Sequence, residues 1–219
     1  MRSRLARNLA HVRAQIEAAA VRSGRTGAEV RLVAVTKTAT IEETRALYDL
    51  GVREFGENRL EKARAKIEAL PGDVRWHMIG PIQRRKARAV VSLFPHIDSV
   101  DRLEVAETLQ KHSEEQDKTL QVLIEVNVSG EETKHGFDPD RVGQALEHLR
   151  PFDRVHVDGL MTMAPFGAPE EVLRSVFRSL RALASEHGLH EVSMGMSDDF
   201  RIAVEEGATQ VRLGRVLFE

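Results

Sequence analysis

Cysteine is absent from the 219-residue chain. Disulfides and thiolate chemistry are therefore excluded, and the composition suits a reducing cytosol. An excess of one charge is also missing, because 32 basic and 34 acidic residues are interspersed and leave a net charge of -2. Without a polybasic field, neither nucleic acid nor a membrane surface is an expected partner. Long apolar runs are lacking too: nothing reaches the roughly 18 residues of a membrane span, and the opening MRSRLARNLAHVRAQIEAAA has no unbroken apolar core of a signal peptide. A cytoplasmic protein is expected. No linker rich in Gly, Pro or Ser, no repeat and no low-complexity segment divides the chain, so 1–219 reads as a single domain. The histidines lack ligand spacing, which predicts no metal, and no GxGxxG or Walker pattern occurs.

What is present is alternation. Leu5, Leu9, Val12 and Ile16 recur at helical steps ahead of the first strand. Strand-like segments follow at 31–35, 52–55, 74–79, 96–98, 120–126, 155–160, 190–194 and 209–213, the fourth being very short. Helical periodicity fills 41–50, 57–70, 83–93, 101–116, 139–149, 170–187 and 197–206, with Asp101 and Ser197 as expected N-caps. Strands alternating with helices predict βαβ units, and eight of them favour closure into a (β/α)8 TIM barrel of the α/β class. The polar stretch 127–140 reads as a mobile loop above that barrel.

Three features could carry chemistry at the C-terminal ends of the strands. The first is 31-RLVAVTKT-38, where Lys37 follows a buried strand whose Val33, Ala34 and Val35 could supply an apolar floor. An amine condenses with an aldehyde only when neutral, and an apolar floor with a second cation nearby favours that state. The second is 193-SMGMSDDF-200, which turns on Gly195 and enters a helix at Ser197, so that backbone N–H groups and a hydroxyl face outward and suit a phosphate; Ser197 acting only as a cap is the plain alternative. The third is 211-VRLGR-215, where Arg212 interrupts an apolar strand and demands a partner, and Gly214 permits close backbone approach. Barrel closure sets strand eight beside strand one, and the loops after strands seven and eight are the recurrent phosphate site of the fold. A ligand with an aldehyde and a phosphate on a polar ring satisfies all three features, and pyridoxal 5′-phosphate is such a ligand.

These residues, with 55-FGEN-58, 76-WHMIGPIQ-83, 98-DSVDR-102, 123-LIEVNVS-129 and 159-GLMTM-163, resemble the YggS/PROSC family, the pyridoxal phosphate homeostasis proteins, over nearly the whole chain. The resemblance implies a fold-type III barrel like the N-terminal domain of alanine racemases without their second β domain. It also implies a cofactor held for storage and delivery, with no established reaction. Residue by residue, it makes Lys37 the Schiff-base lysine. Gly195, Met196, Ser197, Gly214 and Arg215 would cradle the phosphate, Arg212 would face the pyridine nitrogen, and Asn58 would lie near the cofactor. The implied partners are pyridoxal phosphate and apo-forms of enzymes that use it, and the chain is expected to be a monomer. Departures are Arg215 where the family usually has Thr, Ala39 where a second lysine is common, and Arg59 where an aromatic is common.

His77 reads equally as a residue touching the ring and as a satisfied core histidine, and 84-RRKAR-88 as a solvated face rather than an anion or RNA site. The competing function is an amino acid racemase dependent on pyridoxal phosphate. It would need acid and base groups on both faces of the substrate α-carbon. The one tyrosine, Tyr48, falls in the helix between strands one and two, the chain ends at Glu219 just after strand eight, and the arginine that the resemblance sets at the ring nitrogen would weaken the ring as an electron sink and disfavour transaminase chemistry. Lys134 in the polar loop is a candidate for helping cofactor release, hinged on Gly130 and Gly136, with a solvated lysine as the alternative.

Overall fold

The computed structural model describes residues 1–131 and 135–219. Its eight strands are β1 (Arg31–Val35), β2 (Glu54–Glu57), β3 (Arg75–Met78), β4 (His96–Val100), β5 (Leu120–Glu125), β6 (Val155–Met161), β7 (Glu191–Ser193) and β8 (Gln210–Leu213). All pair in parallel and in chain order, and β8 returns to β1 with Arg31 opposite Gln210 and Ala34 opposite Leu213, closing the barrel. The expected (β/α)8 architecture is what the chain forms. Around it run α1 (Arg2–Arg22), α2 (Ile41–Asp49), α3 (Leu60–Ala69), α4 (Ala87–Leu93), α5 (Leu103–Glu115), α6 (Val142–Leu149), α7 (Glu170–Glu186), α8 (Phe200–Glu205) and α9 (Arg215–Phe218).

The main core lies between the outer faces of the strands and the helices. Leu5, Leu9, Val12 and Ile16 are buried as their spacing predicts, and α1 packs against α8 and α9. Among the described residues, no helix is long and apolar enough to cross a membrane. The barrel's inner layer is different in kind. Barrel interiors are usually filled by Val, Ile and Leu, but here Glu54, His77, Asp98, Ser193, Gln210 and Arg212 are all buried. Each must find a partner inside, because an unpaired buried polar group costs more than a hydrogen bond returns.

Several boundaries differ from the sequence expectation, each for a local reason. Ser197 does not cap α8. Residues 197–199 form a turn closed on the Met196 carbonyl, which accepts from the N–H of Asp199 (3.1 Å) and of Phe200 (2.9 Å), so the helix begins at Phe200 with Asp199 at its N-cap. Asp101 does not cap α5 either: Arg102 holds that position, and the Asp101 carboxylate accepts from Arg102 Nη1 at 2.7 Å. The FGE of FGEN continues β2, which delays α3 to Leu60. The fourth strand, predicted only to residue 98, runs on to Val100, and α9 follows β8 where no helix was expected.

The loop after β5 is pinned at its base, where Asn127 N–H donates to the Phe137 carbonyl (2.9 Å) and Phe137 N–H to that of Glu125 (2.8 Å). Lys134 lies outside the described residues.

Candidate functional site

At the C-terminal mouth the chain leaves β1 through Thr36, which is buried, to Lys37, which is exposed. The step between them is held from below. Lys66 of α3, itself buried, donates to the Thr36 carbonyl and to Glu57 Oε1 (2.5 Å), and Thr36 Oγ1 donates to that same carboxylate oxygen at 2.6 Å. Lys62 Nζ reaches the Lys37 carbonyl at 3.2 Å. Next to β1, Thr36 N–H donates to the Gly56 carbonyl at 3.0 Å, which places FGEN against the Lys37 segment. Asn58 fills the space that Gly80 leaves, since a Cβ there would lie 2.6 Å from Asn58 Cβ. Asn58 Oδ1 and Glu57 Oε2 are buried and, among the described residues, accept no hydrogen bond.

Across the mouth, Gly195 takes φ +95°, and a Cβ there would stand 2.6 Å from Ala203 Cβ and 2.9 Å from Phe200 Cα. Only glycine makes this turn over the start of α8. Met196 N–H is spent internally on Asp199 Oδ1 (2.6 Å). Burial pushes the Asp199 carboxyl up, against that bond and the charge of Arg212. Ser197 Oγ accepts weakly from Val216 N–H at 3.5 Å, linking the loops after β7 and β8. Among the described residues the N–H groups of Ser197, Gly214 and Arg215 donate to nothing inside the protein. A Cβ at Gly214 would meet only Val35, at 3.5 Å or more, so nothing in the packing requires glycine there and its bareness leaves room for a ligand. The Arg215 guanidinium pairs with Asp198, and both side chains are more than half exposed.

Arg212 sits one layer deeper. It pairs with Val33 across the β1–β8 seam, donates through Nη1 to Ser193 Oγ (2.6 Å) and through Nη2 to the Thr162 carbonyl (2.9 Å), and its N–H is held by the Gly195 carbonyl at 3.0 Å. Burial lowers its pKa, while Asp98, Glu125 and Asp199 act in the opposite direction. Glu125, at the end of β5, is pushed up by burial and by Asp101.

The barrel thus brings Lys37, Asn58, Ser197, Arg212, Gly214 and Arg215 to one mouth. The residues fit pyridoxal phosphate: an exposed amine, unspent N–H donors and a hydroxyl across from it, a buried guanidinium beneath, and an orphaned amide oxygen beside it. Met196 offers no backbone group to this arrangement, since its N–H is taken by Asp199 and its carbonyl accepts from the N–H groups of Asp199 and Phe200. His77 is a satisfied core histidine, with Asp98 on one nitrogen and Glu54 on the other at 3.0 Å each. The 84–88 basic run is a surface face, with Arg84, Arg85 and Arg88 exposed. The sequence pattern assigns no role to Glu57, Lys66, Asp98 or Gln210. One signal was available: Lys66 stands three residues after the buried Ala63 on the inward stripe of α3, where a lysine is out of place.

Residues 5–219 match the family model described as alanine racemase, N-terminal domain. A pyridoxal phosphate homeostasis protein of Aquifex aeolicus is 39% identical over 217 residues, covering 96% of this chain and 95% of the relative. PipY of Synechococcus elongatus, solved with PLP bound, is 34% identical with a TM-score of 0.86 and covers 98% of this chain and 100% of that one. Alanine racemase of Corynebacterium glutamicum, 19% identical with a TM-score of 0.73, covers 99% of this chain and 60% of its own and shares the fold. The chain belongs to the alanine racemase N-terminal domain family and, within it, to the pyridoxal phosphate homeostasis proteins.

Proposed function

We propose that this chain binds pyridoxal 5′-phosphate at the C-terminal mouth, attached covalently through Lys37, and that it stores and delivers the cofactor instead of turning over a substrate. The observation that carries the reading is the placing of exposed Lys37, just after β1, at the same mouth as the unspent N–H groups of Ser197, Gly214 and Arg215 and above the buried Arg212 of the adjoining β8. The PLP-bound structure of PipY and the naming of the relatives support it. When bound, the cofactor supplies an aldehyde that condenses with an amine. The protein's own residues do the rest. The backbone N–H groups and Ser197 Oγ bind the phosphate, helped by the charge of Arg215. Arg212, which has no lone pair to offer, donates toward the ring nitrogen and holds it unprotonated.

Storage is favoured over racemisation by the place of Tyr48. Its hydroxyl donates to Asp73 at 2.7 Å, on the segment that enters β3 at the opposite mouth, so it reaches no substrate at the cofactor. We further propose a monomer that works in the cytoplasm and passes its cofactor to apo-enzymes.

The test is a pair of spectral titrations, with pyridoxal phosphate and with phosphate-free pyridoxal. Pyridoxal phosphate should saturate one site, and pyridoxal should bind at least about tenfold more weakly, the loss of a single charge-assisted hydrogen bond. Equal affinities would overturn the phosphate cradle. Incubating the loaded protein with alanine in D2O tests the racemase alternative: catalytic deuterium uptake at the α-carbon would contradict storage.

A further inference from the structure

A row of buried polar side chains runs through the barrel from the opposite mouth to Arg212. Glu54 Oε2 meets His77 Nε2 at 3.0 Å, and His77 Nδ1 meets Asp98 Oδ1 at 3.0 Å. Asp98 Oδ2 accepts from Gln210 Nε2 at 2.6 Å, the same amide donates to Ser193 Oγ at 2.9 Å, and Ser193 Oγ accepts from Arg212 Nη1 at 2.6 Å. No member is more than 6% exposed. Five strands contribute, and the ionisable members alternate in charge from the Glu54 carboxylate to the Arg212 guanidinium, with the neutral Gln210 and Ser193 between Asp98 and Arg212.

At its far end Glu54 Oε1 is gripped by Arg75 at 2.5 Å and Arg31 at 3.8 Å, on the wall of a cavity of about 500 Å3. A barrel interior of this size is ordinarily apolar, and a buried polar network is tolerable only when every link is made. Arg212 is free to turn about its side-chain torsions unless both sides of its guanidinium are held. One side rests on the Thr162 carbonyl, and the other rests on Ser193, whose hydroxyl is in turn oriented by Gln210.

We infer that His77, Asp98 and Gln210 are positioning residues for Arg212, fixing through Ser193 the plane in which its guanidinium meets the ring nitrogen of the cofactor. The part that concerns the cofactor rests on the function proposed above; the part that concerns Arg212 does not. The titratable and charged groups around His77 are Glu54, Asp98 and the stacked ring of His96, whose centroid is 4.8 Å away, with Arg31 and Arg75 behind Glu54. Those around Arg212 are Asp98, Glu125 and Asp199. With Asp98 and Glu54 flanking it, His77 carries its proton up to a pKa of about 9 although burial opposes this, so the alternation of charge persists at neutral pH.

The experiment compares His77→Gln and Gln210→Met with His96→Gln, which lies in the same cavity wall but outside the row. In the unloaded full chain, side-chain 15N NMR reads hydrogen exchange of the Arg212 guanidinium. In the loaded protein, a pH titration of the visible absorption band reads the ring nitrogen's surroundings. Exchange at Arg212 should quicken about tenfold in both row variants, the weight of one hydrogen bond, with no change in His96→Gln, and the titration should shift in the same two variants. If Gln210→Met does not fold, His77→Gln carries the comparison alone. Unchanged exchange in the row variants, or equal quickening in all three, would overturn the inference. Because the unloaded arm uses no cofactor, failure of pyridoxal phosphate to bind would refute the proposed function and leave this result readable.

Discussion

Lys66 Nζ and Glu57 Oε1 lie 2.5 Å apart beneath the turn that carries Lys37, the lysine side chain 6% exposed and the carboxylate 0%. The ammonium also holds the Thr36 carbonyl, so the peptide entering Lys37 hangs from a buried ion pair. Such a pair contributes little over an apolar substitute, but breaking it leaves a naked buried charge.

Lys66→Met should therefore destabilise the fold by about 3 to 5 kcal/mol. The double change Lys66→Met with Glu57→Gln should cost clearly less than the two single changes added together. Denaturant unfolding of the three variants measures this, and simple additivity would show that the pair is not coupled.

Gly195 yields a second prediction. With φ at +95° and an added Cβ 2.6 Å from Ala203 Cβ, Gly195→Ala meets both backbone strain and a clash. The cost should be about 1 to 3 kcal/mol from the backbone alone, and affinity for pyridoxal phosphate should fall as the Ser197 turn shifts. A variant of unaltered melting temperature and affinity would contradict the assigned geometry.

The stacked histidines titrate in opposite directions. His77 is raised from 6.5 to about 9: burial opposes this, but Asp98 and then Glu54 outweigh it. Its stabilisation is fully present below about pH 6.5 and is lost as pH climbs through 9, amounting to about 3 kcal/mol by linkage. His96 is lowered to about 4 by burial and by the charge on His77. Its unfolded form takes a proton first, so its share of stability is lost as pH falls from 6.5 toward 4. The stability difference between wild type and His77→Gln should shrink between pH 6.5 and 9.5, and His96→Gln should lessen the loss on the acid side. Unfolding free energies across pH 4 to 10 decide the matter, and parallel curves would contradict both assignments.

The alternation of apolar strands with amphipathic helices made the barrel legible, because Leu32 to Val35 or Leu120 to Val126 cannot stay in water and only a sheet covered by helices buries them on both sides. Lys37, Arg212 and Gly214 were legible because each breaks the apolar pattern of its strand end. The interior row was not. Gln210 and Asp98 are 112 residues apart, and their bond depends on strand register, which local pattern does not encode. The helix starts at Asp101 and Ser197 were misplaced because Asp and Ser serve turns as readily as caps, and tertiary partners decided between them: Arg102 for Asp101, and the Met196–Asp199 turn for Ser197.

The central claim is that Lys37 is the residue to which pyridoxal phosphate becomes attached. The most direct measurement is to saturate the protein with the cofactor, reduce it with borohydride, digest it and locate the added mass by tandem mass spectrometry. The account predicts one stoichiometric adduct on the peptide carrying Lys37, with none in Lys37→Ala protein that melts as the wild type does. An adduct of equal yield on Lys62, Lys66 or another lysine of the wild type, with Lys37 unmodified, would contradict it.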